Sequence, residues 1–453
     1  MEINYWIEWY ENFVLNIEMA IMIAFLVMLV MYFHVFIYAL ISLFSKKRPK
    51  KGENKYRYAV LIPARNEANV IRNPLSSLIN QTYPKELFDV YVIVEKEDDP
   101  TVEIVKEYGY KTIVRGNIEG RRTKGYALDD AYHYLKNNNL KYDAFIIFDS
   151  DNINSSDYID LLNDYKNQGY KITSGYRNFS NGEKNWVTKC SSILFSFINN
   201  FLSKGQSALF KKVTLTGTGY YIDTDIVDDA GGWIWNGMAE DTELTRYAYY
   251  HNIPMSYAQS AMYYDEQTPS MKIAHTQHVR WIWGYMSDKK KYKNCNDSDY
   301  KALNKIRRFF ANSIKVTSLY PLAIFIILLV LSIILSLSVV FAATISSFYI
   351  EELKEYLVGY LKYSVRFSLM LYLFFVLFAL FTFACDNQNL KFKFSSVLIT
   401  SFTYFFFLAD FALAFLDGLF HKSKRNTWSK IAHGNENTSD KANEVLNGKN
   451  KKK

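Results

Sequence analysis

Hydrophobic positions follow two regimes along the chain. Near the ends they run on without alternation. Ile17–Phe44 is almost wholly apolar, interrupted by Glu18 and His34, and three further stretches occupy Leu319–Phe341, Phe367–Ala384 and Val397–Leu416. Each approaches or exceeds the ~20 residues that an α-helix needs to cross a bilayer core. The first is too long for a signal-peptide core and has no small-residue cleavage site after it, so it reads as a retained anchor. Between these regimes the apolar runs are short. Tyr58–Ile62, Val90–Val94, Thr112–Val114 and Ala144–Phe148 predict buried parallel strands. The intervening Val70–Ile79, Thr101–Tyr108 and Gly125–Leu135 have helical spacing and the right length for crossovers. The alternation predicts a βαβ-type parallel sheet with helices on both faces, whose ligands bind at the C-terminal strand ends.

These patterns divide the chain into an aromatic lead and anchor (1–45), an α/β domain (55–285), a basic amphipathic connector (286–316), a membrane domain (317–420) and a polar tail (421–453) that reads as disordered. Composition agrees with the division: 49% of residues are hydrophobic, yet mean hydropathy is −0.11, so the apolar residues are concentrated rather than spread.

Charge adds orientation. The net charge of +8 is gathered beside the apolar stretches, at Lys46–Lys51, at Lys305, Arg307, Arg308 and Lys315, and at the C-terminal lysines. Basic flanks mark the cytoplasmic side, which places the α/β domain in the cytosol and the chain in the plasma membrane as a multi-pass protein. A cytosolic tail, favoured by His421–Arg425, then requires that one apolar stretch be re-entrant or interfacial, or that another crossing lie within Ala342–Arg366. Charge confined to membrane boundaries argues against a nucleic-acid partner. The three cysteines, Cys190, Cys295 and Cys385, have no Cys-x-x-Cys or zinc spacing, and suit a reducing compartment.

Candidate chemistry sits where the strands end. Asp149-Ser150-Asp151 follows the fourth strand. Two carboxylates one residue apart can face a hard cation, Mg2+ or Mn2+, that also takes substrate phosphates. A solvated turn is the plainer reading of such a pair, though the apolar run before it weakens that reading. Glu240-Asp241 opens a helical stretch, and Asp241 is either a catalytic base or a group that favours a helix N-terminus electrostatically. In Gln277-His278-Val279-Arg280-Trp281, Arg280 can clasp phosphate oxygens. Trp281 offers either a sugar-stacking face or an interfacial anchor.

In this order and spacing, Asp-x-Asp, Glu-Asp and Gln-x-x-Arg-Trp resemble the processive membrane glycosyltransferases of family 2: cellulose, mannan, mixed-linkage β-glucan and hyaluronan synthases. The resemblance runs from Tyr58 to Gly284. It implies a GT-A nucleotide-diphospho-sugar transferase domain inserted between N-terminal and C-terminal transmembrane helices. It further implies that Pro63, Arg65 and Glu67 line the nucleotide pocket and that Lys124 reaches the diphosphate. Asp149 would touch the nucleotide and Asp151 the metal. Gly217-Thr218-Gly219 and Glu240 would border the acceptor, with Asp241 as base and Gln277, Arg280 and Trp281 holding the diphosphate and the chain end. Trp428 and His433 match a short Trp…His signature without an assigned role. One departure stands out: aligning Asp99-Pro100-Thr101 with the family's Asp-Pro-Thr puts Glu95 and Lys96 where an Asp pair usually contacts the base, with Glu95 as the substitute. The 33 residues after Phe420 leave no room for a cyclic-dinucleotide domain.

The expectation is therefore a processive, inverting hexosyltransferase. It would take UDP-glucose or another UDP-sugar, extend a β-linked polysaccharide of the cellulose or mixed-linkage type, and pass it across the membrane. Transfer of one sugar to a membrane lipid, or hyaluronan-type synthesis, is the alternative. A receptor or scaffold on a decayed fold is disfavoured by intact Asp149, Asp151, Asp241 and Arg280. Sugar identity, linkage and oligomeric state are open at this level.

Overall fold

The computed structural model describes residues 37–45, 49–116, 120–292, 351–386, 389–390 and 392–422, with isolated positions between 9 and 36 and at 330 and 334. Much of the expected spans Ile17–Phe44 and Leu319–Phe341, most of the connector, and the tail with Trp428 and His433 lie outside the described residues.

The first half of the α/β domain follows the pattern of its apolar runs. Strand β1 (Tyr58–Pro63), helix α1 (Arg72–Ile79), β2 (Phe88–Val94), α2 (Thr101–Glu107), β3 (Lys111–Val114), α3 (Lys124–Asn137) and β4 (Ala144–Ile147) occur in that order. Strands β1, β2, β3 and β4 pair in parallel, with β1 and β2 registered from Tyr58 opposite Phe88 to Pro63 opposite Ile93. They are runs of apolar residues rather than alternations because both faces are covered. One face packs Leu61, Ile93, Leu128 and Ile147, the other Val60, Ile62, Val92 and Ile146.

The second half corrects the expected all-parallel sheet. It contributes β5 (Ile153–Asn154), α4 (Tyr158–Asn167), β6 (Ile172–Phe179), α5 (Trp186–Phe197), α6 (Lys204–Phe210), β7 (Tyr220–Asp223), α7 (Thr224–Asp229), α8 (Glu240–Tyr250), β8 (Met255–Asp265) and α9 (Met271–Tyr292). The strands complete an eight-stranded sheet in the order β3-β2-β1-β4-β7-β6-β8-β5. Strand β7 runs antiparallel to both β4 and β6. The tyrosine-rich strands β7 and β8 lack long aliphatic runs, so the pattern that marks the first four strands is absent from them.

Two helices follow, α10 (Glu351–Cys385) and α11 (Phe394–Phe420). Within α11, Ser395–Phe420 is the one helix among the described residues long and apolar enough to cross a membrane, while Tyr372–Cys385 is a shorter apolar segment. Leu373, Leu377, Ile399, Phe402, Phe406 and Leu413 are exposed on these helices. Their other faces pack with α5 and α9 around Leu194, Val279, Ile282, Phe407 and Phe411. The end of the N-terminal helix docks separately, with Val35 and Tyr38 buried against Leu202.

One turn between β4 and β7 is tightly constrained. Gly219 has φ +67°, and a Cβ there would lie 2.1 Å from Cε1 of Tyr263. Its carbonyl accepts bonds from Gly175 N and from the Tyr158 hydroxyl, both at 2.8 Å. Gly219→Ala should therefore lower stability by roughly 2–6 kcal/mol, the sum of left-handed strain and overpacking. Thermal unfolding of the detergent-purified variant measures this. An unchanged midpoint would mean that the turn relaxes freely.

Candidate active site

The end of β4, the start of α3, the Gly217 turn before β7 and the start of α8 meet in one cleft around Lys124. Helix α3 delivers Lys124 at its first turn, and local sequence explains how. The Thr123 hydroxyl caps the helix by accepting from Tyr126 N and donates to the Asn236 carbonyl at 2.8 Å. A Cβ on Gly125 would fall 2.1 Å from the Trp235 carbonyl oxygen, so only glycine lets this backbone approach so closely. Lys124 Nζ then bonds the Asp149 carboxylate and, at 2.8 Å, the Gly217 carbonyl, and stands 4.0 Å from Glu240. Burial pulls its ammonium pKa down, but Asp149, Glu240 and Asp241 outweigh burial and hold it above the ordinary lysine value.

The loop after β4 is fixed by its own polar groups. Asp149 N donates to Thr218 Oγ1 at 2.9 Å and to Asn152 Oδ1 at 3.1 Å. Asn152 Nδ2 in turn donates to Asp151 Oδ1 at 3.1 Å. Asp151 is buried, and burial, Asp265 and Asp149 push its pKa well above the usual carboxylate range. Asp265, at the end of β8, accepts Arg177 Nε at 2.9 Å and Gln267 Nε2 at 2.9 Å. Arg177 NH1 also donates to the Thr216 carbonyl at 2.8 Å, and its guanidinium lies 4.4 Å from the Phe195 ring.

At the start of α8, Glu240 and Asp241 share the cleft with Arg280 of α9. Burial raises the Asp241 pKa, opposed by the Thr242 backbone, Lys124, Arg177 and Arg280. Burial also raises Glu240, to about 7, with Lys124 opposing and Asp241 adding to the rise. Burial holds the Arg280 guanidinium below its ordinary value, while Glu240, Asp241 and Asp149 act in the opposite direction. Asp241 Oδ1 accepts Thr242 N at 2.7 Å, and a Cβ on Gly217 would lie 3.9 Å from Asp241 Oδ2.

The other expected residues divide into two outlying groups. Pro63 ends β1, and Arg65 Nε pairs with Glu95 Oε2 at 3.1 Å. Asp99 and Thr101 hold this loop by accepting Asn66 N at 2.8 Å and Glu67 N at 3.1 Å. Trp281 and Gln277 lie on α9. The Trp281 ring meets Phe195 edge-on at 6.1 Å, on the side of Arg177 rather than Lys124. Sequence reasoning missed Arg177, Asp265 and Asn152. Asn152 adjoins the Asp149–Asp151 motif, whereas Arg177 lies within β6 and Asp265 ends β8, single charges on strands without a marked apolar run.

The carboxylates suit a divalent cation. Asp151 lies within the fields of both Asp149 and Asp265, and a cation would relieve that mutual repulsion. No preformed cluster of three or more His, Cys, Asp or Glu ligands occurs among the described residues. An ion held by one or two carboxylates, with phosphate oxygens and water completing its shell, needs no such cluster.

Residues 56–284 match the family described as "Glycosyltransferase like family 2". The chain belongs to this family. A Bacillus subtilis protein named "Probable glycosyltransferase YdaM" is 27% identical over 53% of this chain and 59% of its own length. A "Beta-monoglucosyldiacylglycerol synthase" of Trichormus variabilis is 23% identical over 41% of this chain and 40% of its own length. A "Glucomannan 4-beta-mannosyltransferase 1" of Cyamopsis tetragonoloba is 22% identical over 54% of this chain and 48% of its own length. The match thus spans between two fifths and three fifths of these relatives. Among solved structures, a mannosyltransferase of Pyrobaculum calidifontis, in complex with GDP-Man and Mn2+, superposes with a TM-score of 0.53 at 14% identity. It covers 80% of this chain and 99% of its own. The fold is accordingly GT-A-like.

The carboxylate pair of α8 generates a pH prediction. A base must be ionised, so activity falls as pH drops through its pKa, and burial has raised that pKa. Replacing Glu240 by Gln removes a neighbouring charge and leaves Asp241 to titrate alone, so the acid limb of kcat should move to lower pH. Rate profiles of both proteins between pH 4 and 9 (about the span over which carboxylates and histidines titrate) measure the shift. A limb that stays in place would separate Glu240 from the reacting group.

Proposed function

We propose that this protein is an inverting hexosyltransferase that uses a nucleoside-diphosphate sugar, with its α/β domain in the cytosol at the plasma membrane. The observation that carries the reading is the convergence of Lys124, Asp149, Glu240, Asp241 and Arg280 in one cleft. Arg65, Glu67 and Glu95 border the base and ribose side. Lys124 and Arg280 neutralise the diphosphate, and Gln277 lies beside it on the same helix. Asp151 with Asp149 holds Mg2+ or Mn2+, which supplies charge neutralisation to the leaving diphosphate. Asp241 takes the proton of the acceptor hydroxyl as that oxygen attacks the anomeric carbon from the face opposite the leaving group. Gly217, Thr218 and Glu240 shape the acceptor side.

The acceptor in this reading is a growing β-linked glycan resting on Trp281. The similarity to a glucomannan synthase supports it, as does the packing of the Trp281 helix against the apolar helix α11. A flat aromatic face holds a pyranose at any register, as translocation of a polymer demands. The second reading, one sugar placed on a membrane lipid, is favoured by the similarity to glucosyldiacylglycerol synthases. Purified protein incubated with Mn2+ and separate UDP- and GDP-sugars, with products sized and digested by linkage-specific hydrolases, decides between them. A long glycan is expected from one donor. A singly glycosylated lipid would replace the polymer reading, and no donor consumption would end both.

Two substitutions sharpen the roles. Asp241→Asn keeps shape and removes the base, so turnover should fall ~10²–10⁴-fold with donor binding retained. Parallel loss of donor affinity would mark Asp241 as a binding group instead. Asp151→Ala, or excess chelator with the wild type, should abolish transfer from folded protein, and persistent activity in either would remove the metal role.

A further inference from the structure

Helix α11 is apolar over most of its length, yet it carries two acids, Asp410 and Asp417. They are seven residues apart and therefore share a helical face. Ionisable groups on such a helix are costly, and the cost is offset only where a partner is supplied. The partners here come from α9. His278 Nδ1 lies 2.6 Å from Asp410 Oδ2, and His275 Nδ1 lies 2.8 Å from Asp410 Oδ1, so each carboxylate oxygen takes one imidazole. His275 Nε2 is 3.2 Å from Asp417 Oδ2, and Asp417 Oδ1 is 2.7 Å from His421 Nδ1. The His278 side chain is 2% exposed and that of Asp410 9%, so this bond is made away from water. The His278 ring stacks on Phe411 at 3.9 Å and meets Phe407 edge-on at 5.4 Å, which fixes its plane.

Helix α9 is also the element that presents Gln277, Arg280 and Trp281. At 100° per residue, Arg280 is turned about 160° from His278. One face of the helix thus meets Glu240 and Asp241, and the other meets α11. The fit is close on both sides. A Cβ on Gly284 would lie 3.1 Å from the Ala239 Cβ, at the start of α8, and one on Gly418 would lie 1.9 Å from Trp283 Nε1. Little room is left for α9 to slide, and the imidazole–carboxylate bonds set its rotation.

We propose that His278 and Asp410, supported by His275 and Asp417, form a clamp that positions Arg280 and Trp281 for reaction. They are positioning residues, acting on Arg280 through the α9 backbone and on Trp281 also through the His278 ring, which lies 5.4 Å from the indole, and they touch neither donor nor acceptor. The inference rests on the proposed role of Arg280 in the transfer.

The test is a double-mutant cycle on full-length protein in detergent, with donor consumption in the presence of Mn2+ as the readout. Asp410→Asn removes the charge and keeps the shape. It should lower kcat/KM by roughly 10–100-fold, since displacements of about 1 Å from the reacting centre cost that much. In an Arg280→Ala background the same change should cost less than about twofold, because the group it positions is already gone. Equal losses in both backgrounds, or no loss in the wild type, would overturn the clamp. Should Asp410→Asn fail to accumulate, the paired change His278→Phe with Asp410→Leu removes both polar partners and keeps an apolar contact. The folded pair should then show the same background-dependent loss, and full activity of that pair would equally overturn the clamp. A wild type that consumes no donor would instead refute the transferase reading.

Discussion

A lysine ammonium enclosed by carboxylates organises this site. Lys124 ties the end of β4 to the Gly217 turn and to the start of α8 through Asp149, the Gly217 carbonyl and Glu240. Three segments distant in sequence are thereby held by one charge. The arrangement remains acidic overall. Asp149, Asp151, Asp265, Glu240 and Asp241 face only Lys124, Arg177 and Arg280 as cations in the named interactions. Burial and mutual repulsion disfavour the charged forms of Asp151 and Glu240, and a divalent cation arriving with a diphosphate would relieve that repulsion. The excess of carboxylates over cations thus suits a divalent cation, independent of the spacing in Asp149-Ser150-Asp151.

A second constraint follows from where Arg280 sits. The other polar groups of the cleft belong to the β4 loop and to the first turns of α3 and α8 in the α/β domain, whereas Arg280 belongs to a helix packed on the apolar helices. Its placement therefore depends on how α9 packs on α11. Apolar side chains alone specify such a contact weakly, because similar surfaces slide past one another at small cost. Polar pairs specify register, since a mismatched buried carboxylate loses its partners altogether. Asp410 with its two imidazoles supplies that kind of discrimination on the helix that carries Arg280.

Legibility in the sequence tracks burial pattern. The strands β1 to β4 have both faces covered and read as apolar runs, so their ends, and with them Asp149 and Asp151, could be located from the residues, whereas Lys124, at the start of α3, came only from the family resemblance. Strands β7 and β8 are built from tyrosines and small polar residues and gave no such signal. Asp265, at the end of β8, was hidden for that reason, and Arg177 is a single charge within β6, which carries no long aliphatic run either. The mixed second half of the sheet was hidden with them, because antiparallel pairing needs no helical crossover to announce it. His275, His278 and Asp410 were unreadable for another cause. Their meaning is a contact between helices more than 130 residues apart, and neither helix alone shows it.

The geometry around Asp241 also sets which of its oxygens can work. Oδ1 is engaged by Thr242 N at 2.7 Å, a bond that helps keep the carboxylate ionised and fixes its plane. Oδ2 faces the Gly217 turn, where the missing side chain leaves the oxygen approachable. Burial opposes ionisation and raises the pKa, which strengthens the carboxylate as a proton acceptor once it is charged. The two influences act on the same group in opposite senses. The backbone bond orients the carboxylate while burial raises its proton affinity, so in the proposed reaction an acceptor hydroxyl arriving past Gly217 would meet an oriented lone pair. Neither effect alone would serve. An exposed aspartate at the ordinary pKa is a weak base, and a buried one without Lys124, Arg280 and the α8 amide to favour its charge would stay protonated.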